Sequence, residues 1–339
     1  MKRLSFLPIT LLLLLTSTPL FAQQSDTVRV CTYNVLRFGG NAHDRLDELR
    51  MILNAVRPEI LLVQEIAGPE GYALFNDSVA LALDLPLDGV SFRGEDQDGY
   101  SAIFIDRSQF GIIIERELVD SPRIMVRARL YHYPSNDTIE VWTGHWKAGE
   151  ASADEELRRL SAERLVTAMS DPIIPDQLGV ASNIVLGADL NVYASDESAY
   201  ALLTGAGPGH LVDPIGRPGD WHNDSAFADI HTQSPRVRQF GGGIVGGIDD
   251  RFDQVLVSPP LLDNYLPGSY TTFGNDGLHF NDSINALPNL AVGTVMAQAL
   301  HDASDHLPVY LDLVFPNVVT DVHETAPLLR LDLVDQRSR

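Results

Sequence analysis

Apolar and polar residues alternate over 28–35, with β-branched or aromatic side chains at Val28, Val30, Thr32, Tyr33 and Val35. A period of two in such residues predicts a strand. From 44 the spacing changes to helical, with Leu46, Leu49, Leu53 and Val56, and Arg57-Pro58 ends the helix. Residues 60–63 are wholly apolar and predict a buried strand that closes on Gln64-Glu65. A second helix is predicted over 72–85. Strands are predicted over 101–106, 112–118 and 123–132, as antiparallel hairpins, and over 138–143. Leu157, Leu160, Leu165, Val166 and Met169 mark an amphipathic helix over 155–169. Short strands at 184–186 and 251–257, a short helix over 292–300 and a strand from Leu307 to Leu313 complete the pattern. Residues 318–339 pattern weakly, as an edge strand or a loose tail. No internal repeat breaks the chain into units.

Polar groups recur where these strands end. Asn34 closes the first. Glu65 ends a fully apolar strand, where a charge is costly unless it is ion-paired or metal-bound. Gly144-His145-Trp146-Lys147 follows the strand over 138–143, and an imidazole beside a lysine suits a phosphate. Packing of His145 under Trp146 accounts for it equally. In Gly187-Ala188-Asp189-Leu190-Asn191, an acid and an amide two residues apart point the same way in extended chain, and Gly187 permits close backbone approach. An Asx turn is the other reading. Asp253 begins a strand. Asp305-His306 precedes the last one, offering a carboxylate for a hard cation and an imidazole for a proton, or merely a solvated turn. Residues 204–250 are long for a structureless connection. Trp221, His222, Phe227, His231, Arg236 and Arg238 in it suit a phosphorylated, aromatic-bearing ligand. A plain surface loop is the alternative. The glycines at 241–243 and 246–247 match no nucleotide-binding fingerprint.

Charge narrows the setting. The net charge is −22, and Lys147 is the only lysine after Lys2. Such acidity predicts a salt-rich environment that screens self-repulsion. It also opposes diffuse attraction to a polyanion, so an anionic substrate would be held locally, by metal and a few arginines. Met1-Lys2-Arg3, the leucine run over 11–15 and Leu20-Phe21-Ala22 predict a secretory signal over 1–22. The run is too short to span a bilayer, and the mature protein is expected in the periplasm or outside the cell. The one cysteine, Cys31, excludes an intramolecular disulfide and falls in an apolar strand.

Six pieces, in order, resemble the endonuclease/exonuclease/phosphatase superfamily, the fold of deoxyribonuclease I. They are Thr32-Tyr33-Asn34-Val35-Leu36, Leu62-Val63-Gln64-Glu65, Gly144-His145-Trp146-Lys147, Gly187-Ala188-Asp189-Leu190-Asn191, Arg251-Phe252-Asp253 and Ser304-Asp305-His306. Gly99-Tyr100-Ser101 resembles a family strand start. The match spans 27–316, leaving 317–339 as a tail. It implies a four-layer α/β sandwich, two mixed sheets face to face with helices outside. It also implies a monomeric hydrolase of phosphoric esters using Mg²⁺, with Mn²⁺ or Ca²⁺ as alternatives. Glu65 and Asp305 would hold the ion, with Asn34 bonding phosphate or a ligand carboxylate. His306 would take the proton of the attacking water or hold the phosphate as a cation, oriented by Asp253. Asp189 would orient the water or bind a second ion. Asn191 would donate to the transition state, and His145, partnered by Asp98, would serve the leaving group. Lys147, Trp221, Arg236 and Arg238 would bind substrate.

The His145 motif is of the deoxyribonuclease/sphingomyelinase type, and Ala188 is a mild departure. The leading expectation is a secreted nuclease of low sequence specificity acting on DNA or RNA. The alternative is a phosphodiesterase or phosphatase for lipid head groups or inositol phosphates. A membrane-active member should carry an exposed apolar hairpin, for which Leu261-Leu262 to Tyr265 is the nearest candidate. A non-catalytic binding module would show decay of these polar positions.

Overall fold

The computed structural model describes residues 25–39, 45–95, 99–118, 121–170 and 182–318. The expected leader over 1–22, Asp98, and the tail from 319 onward lie outside the described residues. In chain order the first elements are β1 (Ser25–Phe38), α1 (Leu46–Val56), β2 (Ile60–Ile66), α2 (Gly68–Ser78), β3 (Asp88–Glu95) and β4 (Gly99–Ile105). The meander β5 (Phe110–Leu118), β6 (Met125–His132) and β7 (Asp137–Thr143) follows. Then come α3 (Ser152–Ser170), β8 (Ile184–Asp189), α4 (Ser198–Leu203), β9 (Asp253–Val257), β10 (Thr271–Thr272), α5 (Gly293–Ala303) and β11 (Val309–Pro316).

β1 is buried on both faces. Val28 and Val30 face one apolar layer, while Cys31, Tyr33 and Val35 face another. This places it in the middle of a six-stranded sheet of order β10-β11-β1-β2-β4-β3. The second sheet has five strands, in the order β5-β6-β7-β8-β9. Both sheets are mixed: β1 pairs parallel with β2 and antiparallel with β11, and β7 pairs parallel with β8. Val28, Ile60, Leu62, Val126, Val141, Val185, Val255 and Leu311 fill the space between the sheets. The outer face of the six-stranded sheet packs with Leu49, Leu53, Phe75 and Leu300 from α1, α2 and α5. The outer face of the five-stranded sheet packs with Leu165, Met169 and Leu203 from α3 and α4. This is the expected sandwich of two mixed sheets with helices outside.

One glycine sets how closely the sheets approach. A Cβ on Gly187 of β8 would meet Leu62 Cδ1 of β2 at 2.6 Å and Thr32 of β1 at 3.2 Å. Just above it, Gln64 Nε2 donates to Thr32 Oγ1 at 2.9 Å and to Thr143 Oγ1 of the opposite sheet at 2.7 Å. The sandwich is thereby closed tightly beneath its polar rim.

Three elements depart from the sequence pattern. The second helix starts at Gly68, because Pro69 fits a first helical turn, and it stops at Ser78 rather than running to 85. β3 has only a two-residue apolar alternation, Val90 and Phe92, to announce it and pairs with β4 through a register shift between Gly89 and Ser91. The stretch over 204–250 is not unstructured: it holds a 3₁₀ turn (Ser225–Ile230) and a web of backbone hydrogen bonds. Leu261 is buried, so the apolar hairpin sought at 261–265 is instead a 3₁₀ turn under the sheet edge. No helix among the described residues is long and apolar enough to cross a membrane.

Candidate active site

Strict alternation would send Glu65 to the same side as Leu61 and Val63, into the helix-facing core. It does not go there, because the chain leaves the ladder. The β2–β4 register shifts between Val63 and Ile66, and Glu65 takes a left-handed φ of 60°. A similar irregularity between Asn34 and Phe38 lets β1 turn at Leu36 and Arg37, both at positive φ. Bulges of this kind re-aim side chains at sheet rims. Gly99 makes room for the kink, since a Cβ there would sit 2.9 Å from Glu65 Cα.

Asn34 then bridges the sheets. Its Nδ2 donates to Glu65 Oε1 at 3.0 Å and to Asp189 Oδ2 of β8 at 2.9 Å, while its Oδ1 accepts the Leu36 N–H. Both amide protons are engaged, so Asn34 holds two carboxylates side by side. His145 lies against the same pair, with Nδ1 3.8 Å from Glu65 Oε1 and Nε2 3.6 Å from Asp189 Oδ2. Asn191, with a φ of 51°, donates to Asp189 Oδ1 at 2.9 Å and to the Trp146 carbonyl at 3.2 Å. Its backbone N–H also reaches Asp189 Oδ1. The Asx-turn reading therefore holds, and Asp and Asn converge through that turn, not through extended chain. With both protons of its amide bonded to protein acceptors, Asn191 braces Asp189 and lines the cleft.

The second half of the rim spans the sheets again. His306, just before β11, gives Nδ1 to Asp253 Oδ2 of β9 at 2.7 Å. Its Nε2 lies 3.7 Å from Asp189 Oδ2 and 2.6 Å from the side-chain amide of Gln233. Ser304 Oγ donates to the Asn34 carbonyl and accepts the His306 N–H, locking this turn onto β1. Burial opposes a charge on His306, but Asp253, Asp189 and Asp305 outweigh it and hold the imidazole well above its ordinary pKa. Asp305 is buried as well, and burial raises its carboxyl, with the nearby Glu65 adding to the effect. Its Oδ2 accepts the Ile244 N–H at 2.6 Å, while Oδ1 is buried with no hydrogen-bond partner.

Of these groups, Glu65, His145, Asp189, Asn191, Gln233, Asp305 and His306 line a cleft of about 580 Å³. Arg37 is the one fixed cation among its described lining residues, against Glu65, Glu150, Asp189, Asp250 and Asp305. Glu150, Tyr193 and His222 also line an adjoining hollow of about 400 Å³ that holds Glu155, Asp196, Glu197 and Asp220. His222 donates to Asp250 at 2.7 Å, and burial pushes the Asp250 carboxyl up to about 6.

The donor set fits a hard divalent cation. Ligand atoms of Glu65, His145 and Asp189 lie within 4.8 Å of one another, as do those of Asp189, Asp253 and His306. Carboxylate oxygens suit Mg²⁺, Mn²⁺ or Ca²⁺, and the orphaned Asp305 Oδ1 is costly to bury without a partner. Glu65 is grouped with His145 and Asp189, while Asp305 lines the same cleft outside that group.

The expected substrate residues fare differently. Trp221 has no exposed surface; it donates to the Arg217 carbonyl and stacks edge-on with Tyr200. Arg251 lies over its ring at 4.9 Å and is paired with Asp213. Arg236 is equally buried and donates to four backbone carbonyls. A side chain without surface has nothing to offer a ligand, so both belong to the scaffold. Lys147 turns to the Ala148 carbonyl and Asp154, away from the cleft lining. Arg238 is exposed but outside that lining. Gln233, Tyr193, Asp250 and Phe252 line the cleft and were not foreseen. Only Asp250 and Phe252 had a signal, as neighbours of Asp253.

Compared by sequence, the chain matches no family model and no curated protein. Solved structures do match. An endonuclease/exonuclease/phosphatase family protein from Bacteroides thetaiotaomicron superposes with a TM-score of 0.52 at 15% identity, covering 90% of this chain and 100% of that one. The chain has the endonuclease/exonuclease/phosphatase fold. TDP2 from D. rerio, complexed with a single-strand DNA product, aligns at a TM-score of 0.52 and 13% identity, over 84% of this chain and 98% of that one. A mannosyl-6-phosphatase from Bacteroides thetaiotaomicron aligns at 0.51 and 16% identity, over 85% and 100%. The fold therefore hosts a DNA-binding protein and a sugar phosphatase alike, and the site must carry any argument about this chain.

Proposed function

We propose that this chain is a divalent-metal-dependent phosphoester hydrolase, exported by its N-terminal leader, acting on a short phosphoester. The observation that carries the reading is His306: a buried imidazole paired to Asp253, set opposite Asp189, beside the Glu65–His145–Asp189 group. When bound there, a divalent ion supplies positive charge against the phosphoryl group. His306, held as a cation, binds a phosphoryl oxygen and is kept in orientation by Asp253. Asp189, between two imidazoles, orients the attacking water. His145 faces the leaving group.

Substrate length follows from the walls. A long polyanion laid across the rim would meet Glu150, Glu155, Asp196 and Asp220 beside the cleft, against Arg37 in the cleft lining and Arg93 and Arg123 in a small hollow beside His145. Of the side chains expected to grip a nucleic acid, Trp221 and Arg236 are inside the protein, and Arg238 is exposed outside the cleft lining. A sugar or head-group phosphate would fit within the cleft without crossing that acidic shelf. The nuclease reading retains one support, the likeness of fold to the DNA-bound TDP2 structure.

The test offers glucose 6-phosphate, bis-p-nitrophenyl phosphate, phosphorylcholine lipid and supercoiled plasmid side by side, with Mg²⁺ or Mn²⁺ and with EDTA, at low and high salt. EDTA-sensitive turnover of a small ester or lipid, with slower nicking of plasmid, is expected. Plasmid nicked fastest would restore the nuclease. Inactivity on all four in a folded protein would favour a binding module.

A further inference from the structure

Arg236 and Gly243 are not explained by folding alone. The guanidinium of Arg236 donates Nε to the His301 carbonyl at 2.6 Å and a terminal nitrogen to the Asp302 carbonyl at 3.1 Å. Those carbonyls are at the C-terminal end of α5, where a cation is favoured, immediately before Asp305. The other terminal nitrogen donates to the Phe240 and Gly242 carbonyls at 2.8 and 3.1 Å. One buried side chain therefore ties the 237–244 loop to the segment that carries Asp305. The loop is closed at its base by Gly246 and Gly247 N–H donating to the Arg236 carbonyl, and by Ser234 Oγ donating to the Ile244 carbonyl.

The loop in turn meets the carboxylate. Ile244 N–H donates to Asp305 Oδ2 at 2.6 Å. Gly243 has a φ of 80°, and a Cβ on it would sit 2.5 Å from that same Oδ2 and 2.6 Å from Asp305 Cγ. Only a residue without a Cβ lets the backbone come close enough to hold Oδ2, and Oδ1 is then left buried with no partner.

We propose that the 237–244 loop, stapled by Arg236, is a positioning device for the metal site: it fixes Asp305 by one oxygen and leaves the other for the cation. The inference rests on the metal-dependent reading above. Arg236 and Gly243 act through Asp305.

The test is Mn²⁺ affinity of the purified full chain by titration calorimetry, with folding followed by circular dichroism. Gly243→Ala should weaken Mn²⁺ binding by about 10–100-fold, the usual cost of losing a partner behind a ligand. Gly241→Ala is the control: it has a φ of 67° in the same loop, with nothing within 4 Å of its would-be Cβ. Its affinity should stay near wild type. Arg236→Lys, which keeps the charge but not the fork, should fall between them. Equal loss in Gly241→Ala and Gly243→Ala would trace the effect to loop strain and overturn the proposal. So would wild-type affinity in a folded Gly243→Ala. If the wild type binds no divalent ion, the metal-dependent reading itself fails, and the staple with it.

Discussion

The cleft has two walls of different make. One is built from strand ends: Asn34, Glu65, His145, Asp189 and Asp253 project from β1, β2, β7, β8 and β9 or the turns beside them. Their positions are set by ladders and by packing between two sheets. The other wall comes from the long connection before β9: His222, Gln233, Gly243, Ile244 and Asp250. It contributes backbone donors, a carboxamide and a titrating pair. The strand wall fixes charges at defined separations. The loop wall orients them: Gln233 meets His306, and Ile244 meets Asp305. Several like charges are held together by donors from both walls: Asn34 bridges Glu65 and Asp189 within the strand wall, and Ile244 reaches Asp305 from the loop wall.

That division makes the walls separable by mutation. The largest expected effect is on the loop wall's own support. Trp221→Ala removes a fully buried indole beneath Arg251 and Tyr200, and should cost about 3–5 kcal/mol of stability. KM measured below the unfolding transition should stay near wild type. A raised KM with little loss of stability would return Trp221 to the ligand and dissolve the contrast between walls.

A smaller effect concerns pH. The Asp250 carboxyl, raised by burial to about 6, keeps its proton in the folded chain over a range where the unfolded chain has released it. The folded state thus binds more protons between about pH 4 and 6, and stability falls as pH rises through that window. Asp250→Asn should flatten this part of the stability–pH profile in EDTA, by about 3 kcal/mol. An unchanged slope would mean that the loop wall does not titrate there.

The two walls also differ in how far the sequence reveals them. Strand ends are legible because an apolar run stops abruptly at polar residues, as at Glu65 and Asp189. The order of such stops pointed to the two-sheet sandwich. What the pattern hid was the means: the bulge that swings Glu65 onto the rim has no periodic signature, and β3 has only a two-residue one. In the loop, residue type was a poor guide. Trp221 and Arg236 look like ligand-gripping side chains, but burial decides their role, and an aperiodic stretch carries no sign of burial. Gln233 and Gly243 look ordinary in sequence and matter through single contacts with His306 and Asp305.

The most direct test of the central claim is the initial rate of bis-p-nitrophenyl phosphate hydrolysis with Mg²⁺, for the wild type and His306→Ala, each shown folded by circular dichroism. EDTA-sensitive turnover that falls about 10²–10³-fold in the variant is the predicted result. Near-wild-type turnover in folded His306→Ala, or turnover indifferent to EDTA, would contradict it.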